Sequence, residues 1–224
     1  MPPVLALYED VLSDGAALAL PAAARMIFLV HGGATIGGRA LRDGEAWHGE
    51  GAATVHAAAT GATCWRFDFA SPPAGTPAGV TSRQKLSAPL DTLPAGELLL
   101  RGDSVAFPPG GCAHPHRHQG PGIRCVLEGG IRIDTAGRST SYGPGGAWYE
   151  SGPEPVFAQA AEQPSRFIRV MILPRALSGK SSLQFRRRRR RGQAARAAIP
   201  NLRRRPDRTA ERVELRNFTR ENLV

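Results

Sequence analysis

Two stretches of this chain recur roughly 100 residues apart, and a repeat of that period constrains the fold more than anything else in the sequence. Residues 28–36 read FLVHGGATI and residues 125–133 read CVLEGGIRI. Residues 44–57 read GEAWHGEGAATVHA and residues 145–158 read GGAWYESGPEPVFA. Trp47 matches Trp148, Gly51 matches Gly152 and Val55 matches Val156. Further on, Arg66 in CWRFDF matches Arg169 in FIRVMI; upstream, GAALALP matches GDSVAFP. The reading is one structural unit present twice in tandem. Chance similarity between Gly-rich β sequences is the plain alternative.

The unit is built from strands. The runs MIFLV (26–30), TCWRFDF (63–69), GIRCVL (122–127) and RFIRVMIL (166–173) are short, apolar and bounded by turn signals, in a chain with 26 Gly and 19 Pro. That pattern predicts an all-β sandwich or barrel. No helical periodicity precedes residue 185, and the Ala-rich run at 16–24 contains Pro21. A length of 224 residues suits one large or two small domains with buried cores.

The second copy carries an insertion that the first lacks, within FPPGGCAHPHRHQGPGIRCVLEGG at 107–130. Gly110, His116, His118 and Gly129 are spaced as in the first motif of the cupin family, which this region resembles. The resemblance implies two tandem cupin-like jelly-roll barrels, each a double-stranded β-helix, followed by a disordered basic C-terminal tail. It divides the chain into a first repeat without a metal motif (1–75), a linker (76–94), a second repeat with His-x-His (95–178) and an Arg-rich tail (179–224). It also implies a metal held by two His, a Glu and a further His. The family's Glu position falls here on Gly122. In the second motif, Ser151, Pro153 and Val156 stand where Pro, Gly and His are usual.

On an extended segment, His116 and His118 share a face because side chains alternate with period two, and His114 has the same parity. Neutral imidazoles in that array suit a divalent ion such as Fe, Mn, Zn or Ni. A third ligand would come from His114, Glu150, Tyr149 or Glu128. Glu150 with His116 and His118 would make a facial triad; its plain alternative is an exposed strand-end carboxylate. Arg124 shares the parity of Gly122, so an inward Arg124 would hold the acid group of a substrate, with Tyr149 beside it. A surface charge is the plain alternative for Arg124. Trp47 and Trp148, present in both copies, read as packing residues. His31, His48 and His56 have no partner spacing. The expected function is either a metal-dependent oxygenase or isomerase on a small organic acid, or a small-molecule-binding or regulatory barrel that has lost its metal. By the same analogy, the expected pairing of barrels is within one chain or across a homodimer.

Charge separates the tail from the body. Residues 186–224 hold 14 Arg, no Lys and four acidic residues, while the rest of the chain is balanced. Three readings stay open: a shifted reading frame from about residue 186, a functional basic tail, or an inert solvated one. Nucleic acid becomes a partner only if that tail is genuine. The amino terminus carries acids where a secretory signal needs positive charge, and Arg25 interrupts the apolar run at 16–30. A cytoplasmic protein without a membrane span is expected. Cys64, Cys112 and Cys125 are odd in number and have no metal-like spacing, which suits a reduced compartment. No phosphate loop, dinucleotide fingerprint or nucleophile elbow is present.

Overall fold

A computed structural model describes residues 2–69, 79–185 and 212–214. Among these, regular structure is strand throughout, apart from one 3-10 turn at Arg175–Leu177, and no helix is long and apolar enough to cross a membrane. The first unit contains β1 (Val4–Leu12), β2 (Ala17–Leu20), β3 (Ala24–Ile36), β4 (Arg39–Arg42), β5 (Ala46–Gly49), β6 (Ala53–Phe69) and β7 (Val80–Pro89). The second contains β8 (Leu98–Phe107), β9 (Cys112–His118), β10 (Gly122–Glu128), β11 (Ile131–Thr135), β12 (Arg138–Tyr142), β13 (Ala147–Glu150), β14 (Val156–Ala160), β15 (Ser165–Pro174), β16 (Leu183–Phe185) and β17 (Arg212–Glu214).

The two units share one topology. In the first, the strand order is β4-β3-β6-β1-β7, with β2 on β6 and β5 on β3. The second runs β13-β10-β15-β8-β17 and β12-β11-β14-β9-β16. The long strands β3 and β6 each serve both walls of the first barrel, and register shifts between Leu29/His31 and Gly32/Ala34 let the paired strands bend. In the second barrel the same path is cut into β10 with β11 and β14 with β15. The expected pair of tandem β barrels is therefore present.

Register corrects one detail of the repeat. Leu18 of β2 lies opposite Val55, and His116 of β9 lies opposite Val156. Since Val55 and Val156 correspond, β2 is the counterpart of β9, not of the GDSVAFP segment in β8. Leu18 and Leu20 thus hold the places of His116 and His118, and both are buried in the first barrel's core. Two other boundaries differ. Most of the expected linker is β7, hydrogen-bonded along β1. Beyond residue 178, β16 pairs with β9 and β17 with β8. The readings made for 186–211 and 215–224 fall outside the described residues.

Each barrel has its own apolar interior, around Leu18, Ile27, Leu29 and Val55 in the first and Val126, Ile133, Trp148 and Phe167 in the second. The largest apolar cluster lies between them. Leu5, Leu7, Met26, Phe28, Trp65, Phe67 and Phe69 meet Leu98, Leu100, Ile123, Cys125, Ile168, Val170 and Ile172. Alternation explains how β6 and β15 build both layers: Phe67 and Val170 face the seam, while Arg66 and Arg169 face the barrels. The barrels approach closely at Gly102, where a Cβ would lie 1.9 Å from Met26 Sδ. Trp47 and Trp148 pack against the first and second barrel cores, as their recurrence predicted. Cys64 and Cys125 are buried in strands, and burial pushes each thiol up to about 12, so both stay protonated.

Candidate functional site

Both barrels enclose charge. In the first, Arg66 clamps Asp10 through Nε at 2.6 Å and Nη2 at 3.1 Å and also binds Asp68; Arg25 Nε donates to Asp68 at 2.9 Å. The Arg66 guanidinium lies over the Tyr8 ring, 4.2 Å from its centroid. In the second, Arg169 clamps Asp103 at 2.8 and 2.9 Å, and Arg101 donates to Lys180 O at 2.7 Å. The matched arginines of the repeat thus each hold an aspartate of the opening strand, though not at the same register, since Arg66 lies opposite Tyr8 and Arg169 opposite Asp103. Sequence reading found Arg66 and Arg169 but not their partners; Asp10 and Asp103, one in each opening strand, were the signal that could have found them.

The His-x-His strand is held between β14 and β16. His116 and His118 are buried and inward, with ring centroids 5.0 Å apart. His114 is not with them. The β9–β14 register shifts between Val156 and Ala158, and this bulge breaks the alternation. His114 is therefore exposed, and only its backbone carbonyl joins the site, accepting a hydrogen bond from His116 Nδ1 at 2.8 Å. That bond sets the His116 tautomer, with the lone pair on Nε2.

Glu150 and Arg124 depart from their plain alternatives: both are buried and face inward. Trp148 Nε1 donates to Glu150 Oε1 at 2.8 Å. Glu150 Oε2 lies 2.8 Å from Arg124 Nη2 and 3.4 Å from His118 Nε2. Arg124 Nη1 donates to Gly122 O at 2.7 Å. On its other side, His118 Nδ1 is 3.4 Å from Ser182 Oγ, a residue just before β16 that the sequence assigned to the tail. Burial, then the charges of Arg124, Arg169, His116 and Arg101, push the His118 pKa far below the usual imidazole range. The ring is neutral, and its two nitrogens face Glu150 and Ser182. Burial and neighbouring arginine charge also lower Arg124, to about 10, although Glu150 opposes the shift.

These residues do not fit a resident metal ion. Among the described residues, no three His, Cys, Asp or Glu side chains converge closely enough to hold one. A guanidinium already sits against Glu150, and three arginines surround the site. The family's Glu position is also closed, since a Cβ on Gly122 would lie 2.4 Å from Val170 O. Arg124 has taken the cationic place beside Glu150.

Tyr149 has the opposite parity to Trp148 and Glu150, so it does not join Arg124. It packs against the seam and lines a cleft of about 500 Å³ over the second barrel's mouth. Its walls include Leu93 and Pro94 of the connecting segment, Pro121 and Pro153, with polar residues such as Asp91, Thr92, Gln119 and His118 among them. Burial raises the Tyr149 pKa, against the lowering effect of Arg124. Sequence reading missed the contribution of residues 89–94, because a connecting segment shows its pocket-facing side only once the barrels are placed. Glu128 is exposed and pairs with Arg166 at 3.1 Å.

No family model and no curated protein matches the sequence. Solved structures do. AerE from Microcystis aeruginosa matches at 14% identity and TM-score 0.57, over 78% of this chain and 89% of that one. A variant of oxalate decarboxylase from Bacillus subtilis matches at 14% identity and TM-score 0.56, over 75% of this chain and 68% of that one. The fold is that of the cupins. A cupin 2 conserved barrel domain protein from Leptotrichia buccalis is also matched, at 12% identity and TM-score 0.49, over 76% of this chain and 84% of that one. Bacillus subtilis oxalate decarboxylase has Mn(II) centres. In this cupin-fold chain, the second barrel holds the Arg124–Glu150 pair beside His118 and His116.

Proposed function

We propose that this chain is a cupin-like binding protein for a small organic acid, which it takes up in the cleft over the second barrel. The observation that carries this reading is the Glu150–Arg124 contact, which uses the available carboxylate to neutralise an internal guanidinium. His118, with both ring nitrogens turned to protein groups, is part of a scaffold behind the cleft. Arg101, Arg124 and Arg169 lie around Asp103 and Glu150 there, and the field of Arg124 reaches Tyr149 in the cleft. Arg124 therefore acts on the ligand through its charge, while Tyr149 makes the contact. The volume is in the range of small-molecule pockets.

A competing reading keeps a divalent ion (Fe, Mn, Zn or Ni) on His116, His118 and Glu150, with oxygenase or isomerase chemistry. The His116 tautomer favours it, since a histidine donating Nδ1–H to a carbonyl presents Nε2 as metal-ligating histidines do. One pair of measurements separates the two. Thermal unfolding of the full chain is followed against a panel of small organic acids, for the wild type and Tyr149→Ala. Metal content is measured by plasma mass spectrometry for the wild type and His116→Ala/His118→Ala. Stabilisation by an acid that Tyr149→Ala abolishes, with metal well below one ion per chain, is expected. One ion per chain, lost in the double variant, would overturn the reading.

A further inference from the structure

The two barrels place one added strand each along the seam, and the second of these comes from the end of the chain. In the first barrel β1 is flanked by β6 and β7; in the second, β8 is flanked by β15 and β17. β7 also approaches β13 of the second barrel, and β17 approaches β5 of the first. Since β5 and β13 are equivalent strands, β7 and β17 hold equivalent places. We infer that the outer edge of β8 is a strand-docking site whose ligand is this chain's own C-terminal segment around Arg212–Glu214, which clasps the two barrels as β7 does in the equivalent place. This clasp is independent of what the cleft binds.

An uncovered β8 would present a row of unpaired N–H and C=O groups along a strand of 10 residues. An added strand satisfies them through its backbone, and the residues at alternate positions make the pairing specific. Arg66 lies opposite Tyr8 and Arg169 opposite Asp103, so Leu7 of β1 and Gly102 of β8 are equivalent. Leu86 lies opposite Leu7 and packs on the seam cluster; Val213 lies opposite Gly102, in the corresponding place. On either side of Val213, Arg212 falls opposite Asp103 and Glu214 opposite Arg101, so opposite charges are matched at both positions. The segment itself has the period-two pattern of a half-buried strand, with Val213 and Leu215 alternating with Arg212, Glu214 and Arg216. The barrels alone do not fill the seam here. A cavity of about 40 Å³ remains between Met26, Phe28 and Ala46 of the first and Gly102, Ser104 and Ile168 of the second. Matched charge and an apolar residue at the seam position give the terminus a structural role, against the reading of an inert tail.

The test is amide hydrogen exchange on the full chain, for the wild type, Val213→Pro, Glu214→Lys and Asn222→Pro. Proline at 213 removes a backbone donor and disfavours strand pairing. Lysine at 214 sets a like charge opposite Arg101. Each should raise exchange in residues 98–107 by at least ~10-fold, with a smaller rise at β5. Exchange in β11 and β14, which lie away from the clasp, should stay at the wild-type level and reports an intact fold. Asn222→Pro lies outside the matched register and should behave as the wild type. Unchanged exchange of residues 98–107 in Val213→Pro would overturn the docking site. Unchanged exchange in Glu214→Lys would overturn the charge-matched register. Protection of β8 in the wild type should not depend on protein concentration; protection lost on dilution would assign the strand to a second copy and overturn docking within one chain.

Discussion

At the scale of single residues, the second barrel depends on compensation between buried charges. Glu150 neutralises Arg124, accepts from Trp148 and faces His118. Removing one partner of a buried pair leaves the other charged and unsolvated, whereas replacing both with apolar groups is often neutral. Glu150→Ala should therefore cost about 3–5 kcal/mol in urea unfolding. Arg124→Met/Glu150→Leu should recover most of that loss, and a double variant as unstable as the single one would show that the pair contributes more than mutual neutralisation. The sequence showed that Arg124 and Glu150 have inward parity as candidates, but not that they meet. Their contact depends on the pairing of β10 with β13, which sets Arg124 opposite Trp148 and Gly122 opposite Glu150.

At the scale of elements, β9 and β16 define the site wall. Alternation along β9 predicted one face for His114, His116 and His118, and it held for the last two. The β9–β14 bulge turned His114 outward, and a one-residue irregularity of this kind leaves no mark in a single sequence. Leu183 pairs with His118, and Ser182 faces its imidazole. Truncation after Lys180 should therefore raise amide hydrogen exchange in residues 112–118 and lower the melting temperature, with little change in the first barrel. Unchanged exchange in β9 would show that β14 alone holds it.

At the scale of the molecule, the two barrels share their largest apolar cluster, so they should fold together. Phe67 is fully buried at that seam, and Phe67→Ala should cost about 3–5 kcal/mol. Unfolding should remain a single transition for the wild type in both calorimetry and tryptophan fluorescence. Two separated transitions would show that each barrel is stable without the seam. The seam also places residues 89–94 against the second barrel's mouth, so the cleft depends on the packing of the two units.

The sequence alone determined the strands and the duplication, because these follow from local alternation, turn residues and spacing; the resemblance to the cupins turned them into a pair of barrels. It also determined that the first barrel lacks the histidines, though register was needed to show Leu18 and Leu20 in their places. Tertiary structure decided the rest. It paired Arg124 with Glu150, brought Ser182 to His118, turned His114 outward and sent Tyr149 to the cleft. Each outcome depends on which strands become neighbours and in what register, and residues far apart in the chain meet only through that long-range pairing.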